Sequence, residues 1–333
     1  MGVRKLNKFL NEKKLIRTYA NLEIYIESIK NMKLSKNNGY YMVAIDFWLY
    51  AHKTLHSKYY TNIISSFYYQ IIKFLSLGVI PIYVIDGHSP NYKMTTDIRK
   101  DKNNRYLDKL TDIDNILTLE ENNRLIRKIR KMSTIDFVNI KKLFEILNIP
   151  LIYANNEADA LCVKLYKENI ILGCFTDDMD MIPLGCDNTL KFNGKQIIQY
   201  NLEYIKTELD MTQEQIIDMC ILLGCDYLIH SIKIDTNEIY KLIKKYGSFI
   251  NILESGEHPI LNINNSDIKI IGEKYHDVCD VYTESPNKET VPDILKSYRY
   301  KYINPNKLIA FLKMFINSFI NINKINKINN LFN

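Results

Sequence analysis

Apolar residues gather in short unbroken runs at three places: residues 40–45 (YYMVAI), 80–85 (IPIYVI) and 170–175 (IILGCF). Runs this short, rich in aromatic and β-branched side chains, predict strands covered on both faces, as in a parallel sheet. Between them apolar positions recur at helical spacing over residues 61–77, over a long polar stretch from 91 to about 147, and over 157–168. Strands alternating with helices predict an α/β fold with a central parallel sheet flanked by helices. Residues 91–140 depart from this pattern, being charged and lacking a continuous apolar face between Asp97 and Leu110. They should be helical but outside the core, a candidate arm or arch inserted between two strands. Further on, 215–223 reads as an apolar helix, 239–253 as an amphipathic helix pair around Gly247, and 255–292 as irregular.

Composition narrows the classes. The chain of 333 residues, 47% hydrophobic and 25% charged, has the balance of a globular protein with a sizeable core. Its longest apolar stretches, such as 78–85, are broken well short of the ~20 residues a membrane span needs. The N-terminus lacks the apolar region of a signal peptide, and Leu6 stands where a myristoylation motif wants Ser or Thr. The six cysteines form no CxxC pair and sit mostly among apolar neighbours, which suits a reducing intracellular compartment and argues against zinc. The net charge of +6 is unevenly spread: residues 294–333 hold seven Lys/Arg and no acid, and 124–131 hold five, including Lys128, Arg130 and Lys131. That asymmetry favours a polyanionic partner, although any one charge run is more often a solvated helix face.

The chemistry lies in the acids. Asp46 follows VAI, Asp86 follows YVI, and Asp178 and Asp180 follow CFTD. In open α/β sheets ligands bind at the carboxyl edge of the strands, so these acids should converge on one rim. Glu157 and Asp159 open a predicted helix, where negative side chains suit the dipole and could do no more than cap it. Asp226 ends the run LLGCDY. Converging carboxylates raise one another's pKa, so a cluster of this size makes sense mainly around divalent cations. All-oxygen ligands select Mg²⁺ or Mn²⁺ over zinc, and several carboxylates can hold two such ions ~4 Å apart for phosphodiester hydrolysis. No nucleophile elbow and no GxxxxGK[ST] loop compete with this reading.

Taken as a set, these residues resemble the flap endonuclease family of XPG-like structure-specific 5′ nucleases. The resemblance runs through Met1-Gly2-Val3, Ala44-Ile45-Asp46, Tyr83-Val84-Ile85-Asp86-Gly87, Glu157-Ala158-Asp159-Ala160, Thr176-Asp177-Asp178-Met179-Asp180 and Asp218 to Tyr227. It covers roughly residues 1–253, and more faintly 304–320. It implies a single PIN-like 5′ nuclease domain over 1–333, with a helical arch at 88–135, helix-turn-helix-type duplex-binding helices at 212–253 and a C-terminal region at 255–333. It implies that Asp46, Asp86, Glu157, Asp159, Asp178, Asp180 and Asp226 hold two Mg²⁺ ions, replaceable by Mn²⁺, with Asp177 a neighbour. Lys93 and a basic residue at Lys100 or Arg99 would stand at the arch base and stabilise charge on the scissile phosphate. Gly2, Arg99, Arg105, Lys128, Arg130, Lys131, Lys241, Lys244 and Lys245 would contact DNA carrying a 5′ flap or junction, the chain acting as a monomer.

Some positions depart from the family pattern, as in a divergent, virus-encoded member. Where a glycine-rich turn usually approaches the duplex and helps to hold potassium, this chain reads Ser231-Ile232-Lys233-Ile234-Asp235-Thr236-Asn237, so anchoring would pass to lysine side chains. The Gln-led sliding-clamp motif is not seen at the C-terminus, and Trp48 and Tyr50 lie near, but not at, the usual spacing of a base-stacking aromatic. A junction-resolving nuclease or a 5′ exonuclease shares the same acids, a catalytically silent DNA-binding scaffold is the alternative from another class, and an RNA-directed small-domain nuclease needs fewer acids and no arch.

Overall fold

The computed structural model describes residues 2–3, 5–31, 39–87, 118–228, 235–255, 265–315 and 321–332. The chain divides into two compact units, one formed by Met1–Leu34, Asp86–Met94 and Ala154–Val291, the other by Ser35–Ile85, Thr95–Tyr153 and Pro292–Asn333. No helix among the described residues is long and apolar enough to cross a membrane.

The first unit contains helices α1 (Leu6–Glu12) and α2 (Leu22–Asn31) with strand β1 (Arg17–Tyr19). Helix α7 (Ala158–Lys167), strand β5 (Cys174–Phe175), a 3₁₀ turn at Met179–Met181 and strands β6 (Asn188–Asn193) and β7 (Gln196–Asn201) follow. Helices α8 (Leu202–Leu209), α9 (Gln213–Leu223), α10 (Thr236–Tyr246), α11 (Phe249–Glu254) and α12 (Asn265–Lys288) complete it. Its strands run in the order β1-β7-β6-β5. Only β5–β6 is parallel; β6–β7 is a hairpin turning on Gly194 and Lys195, and β1 pairs antiparallel with β7. The expected central parallel sheet is extended in this unit by antiparallel pairs, and the run at 170–175 is a strand only at Cys174–Phe175. A buried amide pins this sheet: Asn188 Nδ2 donates to Tyr25 Oη at 2.9 Å, and its Oδ1 accepts from Gln199 Nε2 at 2.8 Å. Unsatisfied, those atoms would each cost about 1–3 kcal/mol, so a one-residue slip of the strands is strongly disfavoured.

Helix α12 corrects the expectation that 255–292 is irregular. It packs on α7 and α9 through the buried Ile271, Val278, Val281 and Tyr282. Val281 and Tyr282 follow Val278 at helical spacing, but the stripe thins to single residues toward the N-terminus, and Pro286 in the final turns reads as a breaker.

The second unit holds strands β2 (Tyr41–Asp46), β3 (Val79–Ile85) and β4 (Leu151–Tyr153), all parallel in the order β2-β3-β4. Its helices are α3 (Phe47–Leu55), α4 (Ile63–Ser76), α5 (Leu119–Ile129), α6 (Thr134–Leu147), α13 (Asp293–Lys296), α14 (Pro305–Leu312) and α15 (Ile322–Phe332). Every residue of β3 is buried, and it contains Pro81, which has no N–H to give a ladder. Backbone groups two residues apart face the same side; Tyr83 N donates to Pro150 O, while β4 pairs only with Tyr83–Ile85, so Pro81 faces a stretch that β4 does not reach. Phe47, Phe67, Tyr83 and Phe144 form the aromatic core, with the Phe47 and Phe67 rings stacked at 5.3 Å and those of Tyr83 and Phe144 4.6 Å apart. Asn62 caps α4 by accepting from Ile64 N and Ser65 N, so the predicted helix at 61–77 begins two residues late for a physical reason. Of the expected arch, residues 88–117 lie outside the described residues; 119–129 form α5 behind its Thr118/Glu121 capping box, and Ser133 opens α6 with a second box.

Candidate metal centre

Six of the seven acids belong to the first unit. The segment after β5 turns sharply because Asp178 Oδ1 accepts from Asp180 N at 3.1 Å, while Asp178 N donates to Thr176 Oγ1 at 3.1 Å. That turn puts both carboxylates on the same side. Asp226, which follows α9, joins them: one carboxylate oxygen each from Asp178, Asp180 and Asp226 lies within 4.8 Å of the others, and all three residues are buried. Buried carboxylates this close repel strongly unless a cation or hydrogen-bond donors compensate them.

Gly2 lies against this triad. A Cβ at this position would come within 2.0 Å of Asp178 Oδ1 and 2.7 Å of Asp180 N, and its φ of 73° is strained for any side chain. Expected as a DNA contact, it is placed by the structure as a wall of the acid cluster.

The second group of acids gathers at the N-terminus of α7. Glu157 is its N-cap residue and Asp159 stands in its first turn. Asp86 Oδ1 accepts from Ala158 N at 2.8 Å, so it satisfies one of the helix's free amides and lies where the dipole favours negative charge. Gly87 fixes that approach: its N–H donates to Asn156 O at 2.7 Å, and a Cβ there would come within 2.2 Å of Ala154 O. Asp46 belongs to the other unit, where its carboxylate caps α3 by accepting from Leu49 N at 2.9 Å. Asp177, 4.0 Å from Lys191 Nζ, forms a weak ion pair beside the cluster.

Two tyrosines link the groups. Tyr227 Oη donates to Glu157 Oε2, and Tyr282 Oη, from α12, donates to Asp180 Oδ1 at 2.9 Å. Their rings meet edge to face at 5.7 Å. Burial first, then the charges of Glu157 and Asp180, push the Tyr227 phenol far above its usual range, and burial with Asp180 does the same to Tyr282. Both phenols therefore stay protonated and serve as fixed donors to carboxylates. The same surroundings push the Cys225 thiol up to about 11, so it remains a neutral neighbour of Asp226.

A third contact from the end of α12 holds the loop before α7. The buried Glu289 accepts from Asn155 N at 2.8 Å and Asn156 N at 2.9 Å. Sequence reasoning missed Tyr227, Tyr282 and Glu289 as parts of the site. Tyr227 adjoins the Asp226 motif, which was a usable signal, whereas Tyr282 and Glu289 come from the segment read as irregular.

The expected DNA-contacting residues are dispersed. Lys93, Arg99, Lys100 and Arg105 lie outside the described residues, as does most of the altered turn at 231–237. In the first unit, Lys241, Lys244 and Lys245 are exposed on α10; Lys244 pairs with Asp210 Oδ2 at 2.5 Å and Lys245 lies 4.7 Å from the Tyr246 ring centre. In the second unit, Lys128, Arg130 and Lys131 line a 310 Å³ pocket with Trp48, His52 and His56. Trp48 is 41% exposed and stacks on Phe137, whereas Tyr50 turns inward, donating to Ser66 O at 3.0 Å and packing on Phe67.

A mixed α/β fold with a buried carboxylate triad and further acids at a helix N-terminus is consistent with the PIN-like class, with an all-oxygen donor set suited to divalent cations. Comparison with known proteins carries this further. The family model of the XPG N-terminal domain matches residues 1–106 and that of the XPG I-region matches 148–226. The chain is 29% identical over 281 residues to flap endonuclease 1 of Enterocytozoon bieneusi, covering 78% of this chain and 74% of that one. It is 26% identical over 320 residues to flap endonuclease 1 of Encephalitozoon cuniculi, covering 94% and 89%. Among solved structures, the catalytic core of Rad2 in complex with DNA substrate matches with a TM-score of 0.67 at 19% identity, over 99% of each chain. Human GEN1 in complex with Holliday junction DNA matches at 0.63 and 17%, over 98% of this chain and 77% of that one. The chain belongs to the XPG-like flap endonuclease family.

Proposed function

We propose that this protein is a structure-specific 5′ nuclease that hydrolyses DNA phosphodiesters at 5′ flaps or single-strand/duplex junctions, using two Mg²⁺ ions. The observation that carries the reading is the buried triad of Asp178, Asp180 and Asp226, whose oxygens lie within 4.8 Å of one another. That donor set fits hard divalent cations: all ligands are carboxylate oxygens, and Gly2 keeps their inner wall free of a side chain. Asp178, Asp180 and Asp226 would hold the ions together with Glu157, Asp159 and Asp86, and Asp46 is assigned to the same role by its motif. Bound there, the ions would supply an activated water and a counter-charge for the leaving oxygen. Tyr282 Oη and Tyr227 Oη orient the carboxylates of Asp180 and Glu157 by donating to one oxygen of each, and the Ala158 amide at the start of α7 does the same for Asp86. Lys93 and Lys100 are proposed to meet the scissile phosphate, and the basic residues of α5 and α10 to meet duplex or flap phosphates. Sequence-independent affinity would follow from those cations, and selectivity from substrate shape.

A panel of a 5′-labelled flap, a nicked duplex, a four-way junction and single-stranded RNA, each with Mg²⁺ and with EDTA, tests this reading. Metal-dependent cutting at the flap base is the expected result. Preferred cutting of the four-way junction would assign the protein to junction resolution, and tight binding with no cutting of any substrate would leave only a DNA-binding scaffold.

A further inference from the structure

An 800 Å³ groove of the second unit lies between α6–β4 and the segment running from α13 to the start of α14. Four cations line it, Lys141, Arg299, Lys301 and Lys307, against one carboxylate, Glu145. Three of the four come from residues 294–333, the acid-free stretch whose charge the acid site leaves unexplained. Two tyrosines stand open in the same groove, Tyr302 at 61% exposure and Tyr153 at 50%. Lys141 Nζ sits 5.4 Å from the centre of the Tyr153 ring, so ring and cation act as one surface.

The floor is built and not merely collapsed. Tyr298 Oη donates to Asn148 O at 2.7 Å, and Asn148 Nδ2 donates to Arg299 O at 3.2 Å, tying the end of α6 to the segment after α13. Arg299 in turn donates from its guanidinium to Tyr298 O at 2.9 Å, which fixes its fork at the groove wall.

We infer that this groove binds a single strand of DNA, as a site separate from the carboxylates. The inference rests on the reading of the chain as a DNA nuclease and deepens it by naming the form of DNA held here. Exposed aromatic rings interleaved with cations suit a strand whose bases are free to stack while its phosphates track the positive charge. A duplex keeps its base faces stacked internally and would meet only the cations, leaving both tyrosines unused. An acidic peptide would match the charge but present no flat π-faces to Tyr302 and Tyr153.

The test is fluorescence anisotropy of the full chain with a labelled oligothymidylate of about 15 nucleotides, in EDTA so that nothing is cut. Tyr302→Ala is expected to weaken binding about five- to a hundredfold, the range for removing one base–aromatic stack. Lys301→Glu with Lys307→Glu should weaken it further and lower the slope of log affinity against log salt by about 0.7 for each phosphate left without its cation. All three residues are exposed, and far-ultraviolet circular dichroism checks that the variants fold. Wild-type affinity in both variants would overturn the proposal, as would Tyr302-dependent binding of poly-glutamate tighter than that of the oligonucleotide. Absence of Mg²⁺-dependent cutting by the wild-type chain would overturn the nuclease reading instead, leaving the strand-binding result in EDTA intact.

Discussion

The carboxylate of Glu289 makes no bond to a reacting group, yet it fixes the backbone N–H groups of Asn155 and Asn156, the residues just before Glu157. A glutamine there would turn an amide N–H₂ toward one of those donors and leave it unpaired. Glu289→Gln is expected to raise the Mg²⁺ concentration for half-maximal cleavage about 10- to 100-fold, as removal of groups that orient metal ligands does. DNA affinity in EDTA should stay unchanged, and a Mg²⁺ titration of the cleavage rate that matched wild type would reject this positioning role. Gly2 offers a sterner case, because a methyl group would overlap Asp178 Oδ1 and oppose a φ of 73°. Gly2→Ala should slow cleavage about a hundredfold, the scale of a misplacement of about 1 Å in a reacting geometry. Single-turnover rates check it, and a rate within twofold of wild type would contradict the placement of Gly2. The three acids of the triad were legible because each closes an apolar run or the turn after it. Tyr282 and Glu289 were not, since they reach the site only through the packing of α12 on α7 and α9.

At the level of elements, β2 and β3 were readable because both faces of each are covered, which leaves an unbroken apolar run. Strands β1 and β4 are three residues long, too short for any periodicity to register. The β6–β7 hairpin carried a usable signal, the Gly-X pair Gly194-Lys195 of a two-residue turn, but polar and apolar residues share strand faces, as Gln196, Ile198 and Tyr200 do in β7. Local rules were strong at helix starts, where Asn62, Thr118, Ser133 and Thr212 all cap. Asn62→Ala removes acceptors for two amides at the start of α4 and should cost about 1 kcal/mol of stability. Urea denaturation measures this; an unchanged midpoint would show that the cap is replaced by solvent at no cost.

For the whole molecule, the proposed function gives the three buried carboxylates and the positive charge separate work, the first holding divalent ions on a DNA phosphodiester and the second attracting DNA. The formal charge of +6 supplies general attraction to DNA, so affinity should fall steeply as salt rises, whether or not the acids are intact. Catalysis and binding are therefore separable. The most direct measurement is single-turnover cleavage of a 5′-labelled flap in Mg²⁺ by wild type and by Asp180→Asn, with DNA affinity measured in parallel. A drop of at least about a thousandfold in rate, a little over 4 kcal/mol of barrier, with affinity retained is the predicted result. Cleavage by Asp180→Asn at the wild-type rate would contradict the assignment of this cluster as the metal centre.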